Sequence, residues 1–462
     1  MKEHTLTKGS VGKGILLFVL PIIVGSLIQQ LYVTIDAVVV GQFTGKLGLA
    51  AIIVGRFAEK VGLAAIDSVH TLFKFPLNFM NGLASGATII ISGHCGSKDE
   101  KQMHCSIRTA CTVAVILGVI CSVGGVLLTP WMLNVMSVPE TVYGRAFAYT
   151  CIYFGGIWSM VLYNMAAGIL RAYGDSKRPL YVLICCAVIN IVGDLLLVGV
   201  LHLGVAGAAL ATVFSQIVSV VLTFYMLRKT LHISKEEKPL WWPHFCAEHM
   251  SQMIRLGFPL ALQSMLFPIA NSIVQAGVNT MGTDQIAAWG ICDKMNMLIW
   301  LISDSMGPAL TTFVAQNLGA RNPERIRKGV RAGTAMSAGA VILISVGLFF
   351  FAQMLTPLFV SSQDAASLSE LVGTYSRMMA PFFCFYALAE AFSGACCGTG
   401  DTIRPMITTL LAICLLRVLG ILLVLPVYGT MECIVMIYIA SWIAAGVSFL
   451  LLWHRDAAHI SR

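Results

Sequence analysis

Long runs of apolar residues, separated by short polar breaks, occupy almost the whole of this chain. A membrane-spanning helix needs about 20 consecutive apolar residues, and the 462 residues hold twelve such runs with little left over. Charged residues make up only 11% of the chain, less than half of the roughly 25% in soluble domains. The pattern predicts an all-α integral membrane protein. The predicted spans are 15–41, 64–93, 107–129, 143–169, 180–201, 204–227, 254–280, 286–316, 330–353, 371–396, 406–427 and 432–453.

The breaks between these spans differ in charge. If both termini lie on one side, most lysines and arginines fall on that side, and we count Arg171 among them. The other side holds Lys46, Arg56, Lys60, Arg145 and Arg377. Cytoplasmic loops are enriched in basic residues, so we place both termini in the cytoplasm. The net charge of +8 then reflects loop topology, and since the basic residues form no single patch we expect no nucleic-acid binding.

The two halves of the chain repeat each other. The stretch 174–179, Gly-Asp-Ser-Lys-Arg-Pro, matches 400–405, Gly-Asp-Thr-Ile-Arg-Pro, and Gly-Ser-Lys at 96–98 matches Gly-Ala-Arg at 319–321. Each half has six spans, an even number, so the halves share one orientation and are related by a pseudo-two-fold axis along the membrane normal. We predict two six-helix lobes, residues 1–228 and 254–462, joined by a cytoplasmic linker at 229–253.

The first half also contains a tandem near-duplicate, in which residues 40–53 are followed by a close copy at 54–67. We interpret it as an expanded outer loop, with a role as an outer lid as the alternative. The fourteen cysteines include no C-x-x-C pair, and most lie in apolar runs. We interpret them as small packing residues.

Ionisable residues inside spans are costly in lipid and indicate function. In the first span Gln29, Tyr32 and Asp36 follow at steps of three and four, so they share a helix face. In the fifth span Asn190 and Asp194 are i, i+4 neighbours. Together with the hydroxyl of Thr212 in the sixth span, Asp36, Asn190 and Asp194 form an all-oxygen set that suits Na⁺ or proton exchange. The alternative is that both carboxylates lie near span ends and reach the interface.

The second span carries the longest polar stripe, which we expect to face a water-filled interior. Its members recur at steps of three or four: Asp67, His70, Lys74, Asn78, Asn81 and Ser85. Lys74 is a candidate partner of Asp36 or Asp67, either as a competitor of the coupling cation or in a structural ion pair. We assign His70, Lys74 and Asn78, with Gln29 and Tyr32, to a substrate cavity.

Polar and aromatic residues also follow the seventh and eighth spans at helical spacing, and the tenth and eleventh add charge. The set is Gln263, Phe267, Asn271, Gln275, Asp293, Asn296, Trp300, Asp304, Glu390 and Arg417. Amide, aromatic and acidic side chains around one cavity suit an amphipathic organic cation. The alternative is a structural ion pair between Arg417 and Glu390 or Asp304. By the repeat, Asn190 and Asp194 correspond to Leu416 and Gly420, so the second lobe lacks the paired site.

Two further observations bear on mechanism. The sequence contains no phosphate-binding loop and no hydrolase signature, so we expect neither an enzyme nor an ATPase. Pro21 lies inside the first span, where it frees a carbonyl and permits a kink. We predict that cation binding bends the first span at Pro21.

Several of these motifs together resemble the multidrug and toxic compound extrusion (MATE) family over essentially the whole chain. They are Leu20-Pro21 with Asp36 and Gly41, the stretch 86–99, Arg171-Ala-Tyr-Gly-Asp175 followed by Pro179, the stretch 190–194, and Gly398-Thr-Gly-Asp401 followed by Pro405. The resemblance implies a V of two six-helix lobes that exports cationic or amphipathic compounds in exchange for Na⁺ or H⁺. In the bacterial DinF-type branch, which the chain resembles, the cation site maps onto Asp36, Asn190, Asp194 and Thr212. The acidic residue that another branch has in the seventh span is absent here.

We therefore expect a cation-coupled antiporter in the bacterial inner membrane. We expect it to act as a monomer on small organic cations or amphipathic drugs, in contact with lipid, with no cofactor beyond the coupling ion. Two alternatives stay open, a lipid-linked oligosaccharide flippase of the same superfamily and a non-transporting membrane scaffold.

Overall fold

The computed structural model describes residues 6–44, 60–135, 138, 140–231, 246–360 and 365–460. Within its helices, the side chains of residues 32–34, 36–44, 60–75, 141–142, 365–366 and 460 are outside the described part. The duplicated outer stretch and the central linker fall largely outside these ranges. All the regular structure in the described ranges is helical.

In the ranges that the structure describes, twelve long helical units follow one another, in the order and near the positions that the apolar runs predict. They are α1 (Val11–Thr44), α2 (Lys60–Ser97), α3 (Glu100–Val135), α4 (Glu140–Ala172), α5 (Lys177–Asp194), α6 (Gly204–Thr230), α7 (Ala247–Val278), α8 (Thr283–Gly319), α9 (Pro323–Leu355), α10 (365–398), α11 (403–428) and α12 (Met431–Ile460). Among the described residues, eleven helical segments are long and apolar enough to cross a membrane. The twelfth unit, α2, is not among these eleven. The prediction of an all-α membrane protein with twelve helices is confirmed.

Four of the described units contain, or continue into, 3₁₀ or π-helical turns. The unit α9 continues as a 3₁₀ turn, Thr356–Leu358. The unit α5 continues as a π-helical segment, Leu195–Val200. The unit α10 consists of Ala365–Met379 and Phe383–Gly398, joined by a 3₁₀ turn. The unit α11 consists of Ile403–Thr409, Leu416–Leu419 and Leu425–Tyr428, joined by π-helical segments. Such interruptions are frequent at functional sites.

The repeated Gly-Asp motif is a helix stop followed by a helix start. Gly174 and Gly400 have φ of +90° and +91°, a left-handed conformation that glycine adopts without a Cβ clash. The following aspartates then cap the next helix: Asp175 Oδ1 accepts from the backbone N–H of Arg178, and Asp401 Oδ1 accepts from that of Arg404. The two lobes therefore share this turn for the same physical reason.

The lobes meet along one end of the bundle, which we call the basic end because the first and last turns that the structure describes, and most basic residues of the described loops, lie there. Residues 82–97 of α2 contact the first half of α7 and the last turn of α8, and we call this contact the seam. A Cβ at Gly86 would lie 2.5 Å from Gly257 Cα, and one at Gly96 would lie 1.8 Å from the backbone oxygen of Gln316. Glycine is therefore required where the helix backbones touch.

The N-terminal segment also crosses between the lobes at the basic end. The buried Gln316 of α8 accepts a hydrogen bond from the backbone N–H of Leu6 and donates one to the carbonyl of Ala172. Arg325 of α9 donates to the carbonyls of Leu6, Lys8 and Gly9. These bonds hold the start of the chain against the second lobe.

Candidate functional site

The polar residues of α5 and α6 come together inside the first lobe. Asn190 and Asp194 are fully buried, and Thr212 is 8% exposed. Asn190 Nδ2 lies 3.3 Å from Thr212 Oγ1, to which it donates. Among the described residues, the Oδ1 atom of Asn190 accepts no hydrogen bond. A buried carbonyl oxygen without a donor is costly in the interior, and it is an atom that a cation would bind.

The backbone of α5 departs from regular α-helix next to the buried Asp194. The π-helical segment of α5 begins at Leu195, the residue directly after Asp194, and π turns recur at functional sites in helices. Gly193 lets α6 approach closely, because a Cβ there would lie 3.0 Å from the Cβ of Ala211. The buried carboxylate thus lies where α5 widens and α6 packs tightly against it.

The backbone of α1 brings Asp36 to the same height along the helix bundle as Asp194. Both α1 and α5 begin at the basic end and lie side by side, and a Cβ at Gly25 would lie 3.5 Å from Leu183 Cδ2. Asp36 follows Gly25 by eleven residues, and Asp194 follows Leu183 by eleven. Since helices rise by the same distance per residue, the two positions are level along the bundle. The side chains of Tyr32 and Asp36 are outside the described part, so their contacts stay a prediction.

A polar cavity of about 380 Å³ lies in the first lobe between α1, α2 and α4. Its wall includes the predicted residues Gln29 and Asn78, together with Asn81 and Ser85 of the same polar stripe. The side chains of Asp67, His70 and Lys74, which precede them in α2, are outside the described part. The stripe therefore faces a cavity over the turns that are described.

Two residues of this cavity were missed by the sequence reasoning. Asn164 and Arg171 of α4 line it, and their spacing of seven, which places them on one helix face, was the available signal. The sequence places Arg171 among the basic loop residues, and the structure corrects this. Its side chain instead turns back along α4, with Nη2 at 4.0 Å from a Cβ placed on Gly168. A long side chain near a helix end can point inward as readily as outward.

A larger cavity, of about 540 Å³, lies in the second lobe between α7, α8, α10, α11 and α12. The predicted residues that line it are Phe267, Asn271, Gln275, Asp293, Asn296, Trp300, Asp304 and Arg417. Two predicted members lie outside its wall. Gln263 donates to Thr409 Oγ1 at 3.0 Å. Glu390 lies one turn beyond Tyr386 in α10, and its Oε2 is 3.6 Å from a Cβ placed on Gly307.

The guanidinium of Arg417 is 2% exposed and is fixed by neutral partners. It donates to Asn271 Oδ1 at 2.7 Å and to Ser441 Oγ at 3.0 Å, and it lies 4.0 Å from the centre of the Tyr438 ring. Asp304 instead accepts a hydrogen bond from the Tyr386 hydroxyl at 2.7 Å. The alternative of an ion pair with Asp304 or Glu390 is therefore wrong: neither carboxylate, both of them described, reaches Arg417.

Aromatic rings of α10 and α12, which the sequence reasoning did not place, pack beside the predicted Trp300 and form one wall of this second cavity. The indole of Trp300 meets the ring of Tyr386 edge to face at 5.0 Å and lies 5.8 Å from Trp442. Tyr438 lies 5.7 Å from Trp442. These partners come from α10 and α12, far from Trp300 in sequence, so no local spacing pointed to them. The result is a cavity with rigid aromatic faces and two carboxylates, Asp293 and Asp304.

Comparison with known proteins gives a consistent match. The family model described as MatE matches residues 51–196 and 259–423. The probable multidrug resistance protein YoeA of Bacillus subtilis is 28% identical over 457 residues, which cover 97% of this chain and 94% of that protein. The probable multidrug resistance protein YpnP of the same organism is 28% identical over 419 residues, covering 90% and 89%.

A solved structure shares the fold over the full length. It is described as the outward-facing conformation of a multidrug resistance MATE family transporter of the MOP superfamily. The two chains superpose with a TM-score of 0.85 at 20% identity, over 100% of this chain and 99% of the other. At that identity the likeness shows the fold alone, which is the two-lobe fold of MATE transporters.

Proposed function

The chain belongs to the MatE family of membrane transporters, and from that premise we propose that it is an antiporter which exports organic cations or amphipathic compounds in exchange for Na⁺ or H⁺. Its relatives YoeA and YpnP are named as probable multidrug resistance proteins. The observation that carries the proposal is the fully buried carboxylate of Asp194 beside Asn190 and Thr212 in the first lobe.

This carboxylate is suited to a coupling ion. In a membrane helix a buried carboxylate is retained at a cost of several kcal/mol unless it is neutralised. A proton or a sodium ion neutralises it, and the amide oxygen of Asn190 and the hydroxyl of Thr212 supply neutral oxygen ligands of the kind that hard cations prefer. Asp36 at the same level of α1 is the proposed second carboxylate.

The second-lobe cavity is suited to the exported compound. A cavity of about 540 Å³ falls within the range of roughly 300–1,000 Å³ that holds drug-sized molecules. Trp300, Tyr386 and Trp442 offer aromatic faces, and two carboxylates exceed the single guanidinium, which is already bound by Asn271. Aromatic faces with excess negative charge attract organic cations.

The helix α1 packs against both lobes. Before Pro21, the side chains of Ile15 and Phe18 belong to an apolar core with Phe313 of the second lobe. After Pro21, Gly25 packs on α5 of the first lobe. Pro21 therefore lies where α1 changes partner, which supports its proposed role as the hinge. Cation and substrate need not touch each other, since each needs only to favour a different arrangement of the lobes.

The test is transport by the purified protein in lipid vesicles under separately imposed sodium and pH gradients. We expect export of a fluorescent cationic dye to follow one of the gradients, and Asp194→Asn to abolish that dependence. Asp284→Asn, an exposed position at the start of α8, is the matched control and should retain it. Undiminished gradient-driven transport by Asp194→Asn would exclude the coupling site.

The two other functions receive less support. A flippase for lipid-linked pyrophosphate would need a strongly cationic lumen, whereas the described walls of the two cavities together carry two arginines, Arg171 and Arg417, and two carboxylates, Asp293 and Asp304. A scaffold would have no need of a buried carboxylate in the membrane. Movement of no solute under either gradient would favour the scaffold.

A further inference from the structure

Two cysteines and a histidine meet at the basic end, outside both cavities. The ligand atoms of Cys105, Cys246 and His249 all lie within 4.8 Å of one another. Cys105 lies in the second turn of α3, and Cys246 and His249 lie at the start of α7. Cys246 and His249 are three residues apart at a helix start, so they face the same side. The sequence reasoning, which treated the cysteines as packing residues, missed this cluster because Cys105 is 141 residues away from Cys246.

The imidazole of His249 is already oriented as a metal ligand would be. Its side chain is 4% exposed. Its Nε2 lies 2.8 Å from Gln102 Oε1, and an amide oxygen there requires Nε2 to carry the proton. The Nδ1 atom then has its lone pair available, and it is buried with no hydrogen-bond partner among the described residues. Metal-binding histidines are held in this way, with the second ring nitrogen donating to an oxygen.

The geometry is within a small side-chain adjustment of a zinc site. Zinc binds thiolate sulfur at about 2.3 Å and imidazole nitrogen at about 2.0–2.1 Å in a tetrahedron, which places neighbouring ligand atoms about 3.5–3.8 Å apart. His94, a candidate fourth ligand, lies outside the group of three whose ligand atoms are within 4.8 Å of one another, so it would have to move closer to bind. The His94 ring lies 5.5 Å from the His249 ring, centre to centre, and its Nε2 is buried with no hydrogen-bond partner among the described residues. Two thiols and two imidazoles form one of the common zinc ligand sets.

We propose that Cys105, Cys246 and His249, with His94 as the nearest fourth ligand, form a binding site for zinc or a similar thiophilic divalent metal that bridges the two lobes. His94 and Cys105 belong to α2 and α3 of the first lobe. Cys246 is the residue directly before α7 and His249 lies in its first turn, where the helix that leads into the second lobe extends back into the predicted linker. None of the fourteen cysteines forms a disulfide. If the basic end faces the reducing cytoplasm, these thiols stay available as ligands.

Bridging has a consequence for the movement of the lobes. The ligands are together only while the seam is closed, so a metal bound to all of them stabilises that arrangement in proportion to its affinity. On the proposed function, in which transport requires the seam to open, the metal acts as an inhibitor. The binding itself does not depend on that function.

The test for binding uses the purified full-length protein in detergent with a phosphine reductant. Zn²⁺ is titrated in competition with a chromophoric chelator, and Co²⁺ is added separately to detect the visible absorption of a tetrahedral thiolate site. We expect one metal per chain. Gln102→Leu should weaken binding by roughly 10- to 100-fold, and Cys246→Ser and His249→Ala should weaken it further. Cys185→Ser, at an exposed position of α5, is the matched control and should bind as the unaltered protein does.

The test for bridging is hydrogen exchange of the seam with and without Zn²⁺, followed by the vesicle transport assay. We expect zinc to slow exchange at the start of α7 and to inhibit transport, in both cases only when Cys246 is present. Absence of stoichiometric binding by the unaltered protein, or binding that Cys246→Ser leaves unchanged, would refute the site. Binding without slower exchange would refute the bridge. A protein that transports nothing but binds zinc and closes the seam would refute the proposed function and leave the site standing.

Discussion

The glycines of the seam allow a direct test of whether the lobes close by backbone contact. A Cβ at Gly86 would lie 2.5 Å from both the Cα and the N of Gly257 across the seam. Ordinary contacts between such atoms are about 3.5–4.0 Å, so Gly86→Ala requires α2 and α7 to separate by about 1 Å. Gly93, seven residues further along α2, has nothing within 4 Å of its Cβ position, which makes Gly93→Ala the matched control.

The expected size of the effect follows from the cost of overpacking. Inserting one methyl group where there is no room costs about 1–3 kcal/mol. The cost is paid only while the seam is closed, so the equilibrium shifts toward the open arrangement by roughly 5- to 150-fold. Hydrogen exchange of protected amides follows the opening equilibrium. We therefore expect amides at the start of α7 and in the N-terminal segment to exchange faster by that factor.

The assay is hydrogen exchange with mass spectrometry on the purified protein, with α12 as the internal reference. Gly257→Ala, whose Cβ would lie 2.9 Å from Leu83 Cα, approaches the same contact from the other helix and should act in the same direction. Retained thermal unfolding and a single size-exclusion peak show that a variant is folded. Equal exchange in Gly86→Ala and Gly93→Ala would refute closure through these glycines.

Two arginines yield further predictions. Arg417→Leu removes the donor to Ser441 Oγ and leaves Asn271 Oδ1 with only the 3.5 Å hydrogen bond from the Tyr438 hydroxyl inside the second cavity, at a cost of about 1.5–3 kcal/mol for each lost hydrogen bond; thermal unfolding should occur at a clearly lower temperature, and a smaller loss in Arg417→Lys would agree with this cause. Arg325→Ala removes four hydrogen bonds to the N-terminal segment, so limited proteolysis should cleave that segment faster. Arg327→Ala, which removes a single bond to another carbonyl, should not, and equal cleavage in the two variants would contradict the role of Arg325.

The helices could be predicted from the sequence because lipid imposes one simple requirement on each of them. Every span needs a long apolar run, and the run remains visible without any knowledge of its neighbours. The structural helices extend beyond the predicted spans where polar ends leave the apolar region, as at Ala247 of α7 and Glu100 of α3. The Gly-Asp turns were visible for a similar reason, since the cap and the left-handed glycine are local.

The sites were predictable only as far as one helix determines them. Asn190 and Asp194 share a face of α5, and the spacing of four residues alone predicts that they are neighbours. The partner of Arg417 could not be predicted from spacing. The sequence suggests an ion pair with a carboxylate, whereas in the structure α7 brings the amide oxygen of Asn271 to 2.7 Å from Arg417. Opposite charge favours a pair only if packing brings the groups together, and in this lobe packing brings Asp304 to Tyr386 instead.

The cluster of Cys105, Cys246 and His249 at the basic end could not be predicted from sequence spacing either. Sequence spacing identifies a metal site when all the ligands lie on one or two neighbouring turns, as in a C-x-x-C pair. Here one thiol comes from each lobe, and Cys246 and His249 alone are too few to define a site. A site whose ligands come from two lobes also differs from a local motif in its affinity. The ligands meet only while the lobes are in contact, so the affinity for the metal depends on whether the seam is closed.

Zinc affinity should therefore fall in Gly86→Ala, which opens the seam, and be retained in Gly93→Ala. Unchanged affinity in Gly86→Ala, with faster exchange confirmed in the same preparation, would show that the cluster does not depend on closure of the seam.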